Sequence, residues 1–430
     1  MSLIINTKRK LRKLGRKYGK NNPIFRAWMR VWLRDHRRKL YEKFMAENEL
    51  DPHSVIFESF MGRKYACSPR AIFEYMATRP EYADWTFYVV LKGKIVNEEL
   101  EEILEANPLL RKAHIVKYCS EPYHKAYASS KYIFANSRIP SYIQIKPGQE
   151  FVQCWHGTPL KRLGYDIITG DNGTISHEEL REKYDLDSSR YTCMVSPSRF
   201  VTEKYFSAFN LKEVNPDVRI VEEGYPRNDA LFHPNQENMQ KTRRLLGIAE
   251  EDHRKLILYA PTWRDDQHQQ GLGYTYDLHA DFGRWQERLG DEYILLFRAH
   301  YFISNSFDFS QHSDFVKDAS IIEDINDLYV IADLLITDYS SVFFDYANLK
   351  RPMLFYMYDL AEYQGKLRDF YISLDTLPGD IVTEEADLLE KIRNMDYENF
   401  YDDKYRKFND TYNYLDDGHA SERVVKAIIG

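Results

Sequence analysis

Ten short runs of apolar, β-branched or aromatic residues, each set off from the next by a helix-length amphipathic stretch, limit this chain more than any other feature. They fall at 55–59, 86–91, 132–135, 151–155, 192–196, 219–222, 256–260, 294–298, 334–337 and 353–356. Strands that alternate with helical segments predict parallel sheets with helices on both faces, and so an α/β fold. Ten strands in 430 residues exceed one comfortable doubly wound domain, so two are expected. The periodicity breaks at Gly224-Tyr225-Pro226 and in the polar run around Pro234. This places the boundary within 226–238 and divides the chain into a segment 1–50, a domain 51–232 and a domain 233–430. In paired α/β domains ligands sit beyond the carboxyl ends of strands, in the crevice between the domains.

Charge separates the first segment from the rest. Residues 1–40 hold 14 Lys/Arg against the single acid Asp35, whereas the remaining residues hold 45 basic and 65 acidic side chains. From 24 to 40 the pattern is helical. Ile24, Phe25, Trp28, Met29, Val31, Trp32 and Leu33 share one side, and Arg26, Arg30, Arg34, Arg37 and Arg38 fill the other. Trp and Leu opposite Arg suit a headgroup interface, with Trp28, Trp32, Arg26, Arg30 and Arg34 as the expected contacts to an anionic inner leaflet. The plainer alternative is that the apolar side packs on the protein and the arginines are merely solvated. Nucleic acid is the less favoured anionic partner.

Polar residues gather just after the strands. A strand ending at Trp155 is followed by His156-Gly157-Thr158-Pro159-Leu160-Lys161, where a histidine titrating near neutrality can act as a base and Gly157 permits close approach. Phe297 is followed by Arg298-Ala299-His300-Tyr301, and a guanidinium fork suits phosphate oxygens. Thr337-Asp338-Tyr339-Ser340-Ser341 precedes a helical stretch at 342–349, a place for phosphate at a helix start, with Asp345 one turn on to accept bonds from ribose or polyol hydroxyls. Weaker patches are Tyr259-Ala260-Pro261-Thr262-Trp263-Arg264-Asp265 and Gly224-Tyr225-Pro226-Arg227-Asn228-Asp229. Each has an ordinary structural explanation, as a strand cap, a helix cap or a turn. Together they predict a phosphate-rich ligand in a cleft.

Other classes are excluded. The sequence has no G-x-x-x-x-G-K-[ST] loop and no glycine-rich dinucleotide fingerprint after an early strand. Asp185 and Asp187 lie in a charged helical stretch, not after a strand, so they do not read as a metal site. Cys67, Cys119, Cys154 and Cys193 are scattered without metal-like spacing and fit a reducing compartment. No run reaches the length of a membrane span, and the N-terminus lacks the pattern of a signal peptide.

The five ordered patches His156–Lys161, Gly224–Asp229, 259–264, 298–301 and 337–341 with Asp345 resemble the CDP-glycerol glycerophosphotransferase family, the teichoic acid primases and polymerases. The resemblance covers roughly 50–420. It implies GT-B architecture, two Rossmann-like domains facing a cleft, and peripheral attachment to the cytoplasmic face of the cell membrane. It further implies His156 as the base on an acceptor hydroxyl, His300 and Arg298 on the donor pyrophosphate, Ser340 and Ser341 on its β-phosphate, and Asp345 on its hydroxylated part. Gly157 and Thr158 would line the acceptor side, and Arg264 and Arg227 would be further phosphate ligands. The implied donor is CDP-glycerol or CDP-ribitol, the acceptor a lipid-linked wall polymer, and CMP the product. No cofactor or bound metal is called for, and a homo-oligomer is compatible with the sequence. The rivals are a GT-B glycosyltransferase or epimerase using a UDP-sugar, and a non-catalytic membrane or RNA adaptor.

Overall fold

The computed structural model describes residues 23–93, 97–168, 176–262, 268–269, 273–274, 279–298, 309–360 and 370–430. Two parallel sheets dominate it. The first contains β1 (Asp51–Glu58), β2 (Thr86–Leu91), β3 (Ala113–Lys117), β4 (Ser130–Ala135), β5 (Glu150–Gln153), β6 (Cys193–Ser196) and β7 (Arg219–Glu222), in the order β3-β2-β1-β4-β5-β6-β7. The second contains β8 (Lys255–Tyr259), β11 (Tyr293–Phe297), β12 (Val316–Asp318), β13 (Leu334–Thr337), β14 (Met353–Tyr356) and β15 (Asp380–Val382), in the order β12-β11-β8-β13-β14-β15. Between β8 and β11 a two-stranded ribbon pairs β9 (His268–Gln269) with β10 (Gly273–Tyr274). Every pairing within the two large sheets is parallel.

The apolar runs explain why both sheet faces are covered. Along β1, Val55 and Phe57 enter one core cluster while Ile56 enters another on the opposite face. Along β8, Leu256 and Leu258 face one way, and Ile257 and Tyr259 the other. A strand apolar at every position needs helices on both sides, as strands inside parallel sheets do. The order reverses between β1 and β4 in the first sheet and between β8 and β13 in the second. At these two places neighbouring strands lead to opposite sides and leave a crevice at their carboxyl ends.

Three features depart from expectation. Strands β3, β9, β10, β12 and β15 fall outside the ten expected runs. All are outer or short strands, and the exposed or half-exposed positions of β3 and β15 carry no unbroken apolar run. The division at 233–430 fails for the last helix, Ala420–Ile429, whose Val424, Val425 and Ile428 lie in the core of the first domain. The segment 1–50 is likewise not separate to its end. Helix α1 (Pro23–Glu47) anchors through Tyr41, which is buried and donates to the Gln144 carbonyl at 2.5 Å, with Phe44 and Met45 packed beside it. Its first half is different: Trp28 and Val31 are about half exposed, at 49% and 56%, with Arg30 and Arg34 also exposed. Among the described residues no helix is long and apolar enough to cross a membrane.

Candidate functional site

The chain leaves β5 through a sharp bend. Trp155 adopts φ +49, a left-handed conformation uncommon for so bulky a residue, and its N–H is held by the Gln153 side chain at 2.9 Å. The bend turns His156 out of the sheet and into the crevice, with Phe60 edge-on to its ring at 5.8 Å. Nδ1 of His156 lies 2.7 Å from the carbonyl oxygen of Asn136, at the end of the neighbouring strand β4. A carbonyl can only accept, so Nδ1 must carry the proton, and Nε2 keeps a lone pair. The surrounding protein pushes the imidazole pKa down to about 4, although the ring is open on its crevice side. The Asn136 bond opposes this shift and the Arg227 charge adds to it. His156 is therefore neutral near pH 7 and oriented as a proton acceptor.

Gly157 follows at φ +156, where the first domain faces the second. A Cβ there would stand 3.3 Å from Ser341 Oγ and 3.4 Å from Arg227 Nη2. Opposite, the ends of β8 and β13 are tied together. Thr337 donates to the Ala260 carbonyl at 2.8 Å, and the buried Asp338 accepts from the Thr262 and Tyr339 N–H groups at 2.7 and 2.6 Å. This fixes Ser340 and Ser341 at the lip, just before the single helical turn Val342–Tyr346. Ser341 is the N-cap, but its hydroxyl does not cap the helix, so capping leaves it available.

A cavity of about 450 Å³ joins these parts. It is lined from the first domain by His156, Gly157 and Thr158, and from the second by Thr262, Arg298, Ser340 and Ser341. Six of the ten residues expected at the catalytic and substrate site thus share one crevice. His300 and Arg264 lie outside the described residues. Arg298 differs from expectation in its bonding: its guanidinium donates to the carbonyls of Ala319, Ile322 and Glu323 at 3.1, 2.7 and 3.3 Å. Among the described residues no carboxylate lies within ion-pair distance of it, and Asp324, Asp327 and Asp318 act on its charge from further off. Burial lowers its pKa from the usual arginine value.

Arg227 and Asp345 do not stand at the cavity wall as anticipated. Both are buried and form an ion pair with each other across the domain junction. Arg227 also donates to the His156 carbonyl at 2.7 Å, and Asn228 donates to Asp345 at 3.1 Å. A carboxylate enclosed this way is occupied by its partners, and the pair acts as a clamp behind the His156 loop. Asp187, set aside as a metal ligand, is paired with Arg190 and Arg138 at 2.6 and 2.9 Å. No group of three or more His, Cys, Asp or Glu side chains with metal-binding geometry occurs among the described residues. Asn136 was missed as an organising residue, whereas Asp338 stands in the run Thr337–Ser341 that the sequence singles out. Asn136 follows a strand just as His156 does, so the same strand-end rule would have found it.

The family model for CDP-glycerol:poly(glycerophosphate) glycerophosphotransferase matches residues 40–430. The chain is 36% identical over 395 residues to the teichoic acid poly(glycerol phosphate) polymerase of Staphylococcus epidermidis. That match takes in 91% of this chain but only 52% of the relative, so the chain spans about half its length. It is 35% identical to the teichoic acid glycerol-phosphate transferase of Staphylococcus aureus, over 90% of this chain and 96% of that one. Among solved structures, the wall teichoic acid polymerase TagF, in a variant soaked with CDPG, superposes with a TM-score of 0.80 at 35% identity. There the match covers 94% of this chain and 96% of that one.

Proposed function

This chain belongs to the CDP-glycerol:poly(glycerophosphate) glycerophosphotransferase family, and from the crevice we propose that it moves a polyol-phosphate unit from a CDP-polyol to the hydroxyl of a lipid-linked or polymeric acceptor. The observation that carries this reading is the opposition of His156 Nε2, a free proton acceptor, to Arg298, which has no carboxylate within ion-pair distance among the described residues, and to two serine hydroxyls across one cavity. Glycerol is the first donor polyol to test, since the two relatives described above are named for glycerol phosphate.

The chemistry follows from charge. The acceptor hydroxyl gives its proton to His156 Nε2 as its oxygen bonds to the β-phosphorus of the donor. The bond from that phosphorus to the bridging oxygen breaks, and CMP leaves with the bonding pair. Negative charge on the phosphoryl oxygens is met by Arg298 and by the Ser340 and Ser341 hydroxyls, fixed before the reaction begins. His300 and Arg264, next in the chain to the wall residues Arg298 and Thr262, are assigned to the same donor phosphates on the strength of the family resemblance. Arg227 and Asp345 are assigned a positioning role, since they hold the His156 loop and lie behind the cavity wall.

The half-exposed Trp28 and Val31 beside Arg30 and Arg34 support peripheral attachment to an anionic leaflet. The test of the activity is CMP release from CDP-glycerol and CDP-ribitol with a lipid-linked acceptor, alongside binding of CDP and UDP. Acceptor-dependent CMP release with preference for CDP supports the reading. Preference for UDP would return it to a sugar-nucleotide enzyme.

A further inference from the structure

A second cavity, of about 500 Å³, opens between the domains on the β2 side of the crevice. It lies past the carboxyl ends of β1 and β2 in the first sheet and beyond β12 in the second. Two to three strand spacings separate it from β5, about 10–14 Å. Its floor meets the catalytic crevice at one atom. The Glu323 carbonyl oxygen accepts from Lys64 Nζ at 3.2 Å and from Arg298 Nη2 at 3.3 Å, so one cation from each domain converges on a single neutral oxygen.

Like charges held together this way repel unless an anion joins them. Burial, and after it the Arg298 charge, lower the Lys64 pKa, against an opposing pull from Glu323 and Asp324. Lys92 and Lys241 continue the line away from the crevice. Lys92 sits over the Tyr118 ring, and Lys241 donates to the Ala106 carbonyl at 2.6 Å. Among the described residues none of these three lysines has a carboxylate within ion-pair distance. Three carboxylates do line the cavity: Glu323, which accepts from the Tyr65 N–H at 3.3 Å, Glu102, and Asp327, which is paired with Arg70 at 3.5 Å. They are fewer than the five cations of the lining, Arg63, Lys64, Arg70, Lys92 and Lys241.

We propose that this second cavity seats phosphate groups of the acceptor, the ones lying behind the hydroxyl that enters the His156 crevice. The inference rests on the transfer reading above and deepens it. A chain of polyol phosphates carries a negative charge at regular intervals, and a row of cations leading away from the base matches it. The same chemistry could come from the phosphodiesters of a growing polymer or from the pyrophosphate of a lipid-linked primer.

The experiment compares the wild-type chain with Lys64→Gln/Lys92→Gln. Binding of a lipid-free glycerol-phosphate oligomer is measured by calorimetry at low and high salt, and turnover is measured with that oligomer and with a lipid-pyrophosphate primer bearing one unit. The wild type should bind the oligomer, and more weakly as salt rises. The variant should bind it on the order of tenfold more weakly, with a flatter salt response and unchanged CDP affinity. Its turnover with one or both acceptors should fall in parallel. Loss confined to the oligomer assigns the cavity to phosphodiesters, and loss confined to the primer assigns it to pyrophosphate. Unchanged affinity and turnover with both acceptors would overturn the proposal, as would a loss of CDP binding in place of acceptor binding. Lys92→Gln alone, remote from the domain contact, decides the matter if the double variant melts early. A wild type that binds the oligomer in this charge-dependent way yet releases no CMP would count against the transfer reading and leave the cavity's assignment intact.

Discussion

The residue that orders the crevice most is one that does not face it. Arg227 and Asp345, 118 positions apart in sequence, neutralise each other inside the junction, and Arg227 also holds the His156 carbonyl. Removing one partner leaves the other charge buried and unpaired, which costs about 3–5 kcal/mol. Asp345→Leu should lower unfolding stability on that scale and reduce turnover with it. Unchanged denaturation would show that the pair carries little. Glu58 gives a second test. Burial at the end of β1 raises its carboxyl to about 7, against the bond from Tyr127 at 2.8 Å. A group raised from the ordinary 4.5 stabilises the fold fully below the unfolded value, and that stability is lost as pH rises through 7. Melting of the wild type should therefore fall relative to Glu58→Gln between pH 5 and pH 8, by up to about 3 kcal/mol. Parallel pH curves for the two proteins would contradict the assignment. Such features are scarcely legible in a sequence. His156 and Ser341 announced themselves by following strands, whereas an ion pair across 118 residues leaves no local pattern.

Among the elements, legibility followed burial. Each of the ten runs read as a strand overlaps an observed strand, because a strand covered on both faces must be apolar throughout. The five that escaped notice are edge strands or a short ribbon. His114 and Lys117 interrupt the apolar run of β3, β9 and β10 have two residues each, and β12 and β15 are only three residues long. The stretch 24–40 expected to be helical lies within helix α1, but the helix's division of labour was not visible. Its second half packs on the first domain through Tyr41, and its first half leaves Trp28 and Val31 uncovered. Deleting residues 1–40 should therefore leave the core folded and weaken sedimentation with anionic vesicles. Each basic residue near such a surface contributes about 1 kcal/mol, and rising salt should release the full-length chain as well. Equal sedimentation of the two forms would remove the membrane role from this helix.

At the scale of the molecule, the proposed function depends on two sheets meeting near their switch points. The first supplies a neutral histidine, and the second supplies positive charge and hydroxyls. The last helix, Ala420–Ile429, returns to the first domain, so the two halves are tied at both ends of the second sheet's segment. This division predicts that donor binding and proton transfer separate by domain, which one comparison tests directly. Wild type and His156→Ala should be matched for folded protein by melting, then measured for CDP affinity and for CMP release from CDP-glycerol with acceptor across pH. Because His156 is held well below the usual imidazole range, wild-type turnover should show no loss at its ordinary value near 6.5 and should decline only toward about 4. The account predicts nearly unchanged CDP affinity in the variant and turnover lower by roughly 10² or more, the scale of a lost general base. Turnover per folded molecule close to wild type, with only the melting temperature reduced, would contradict it.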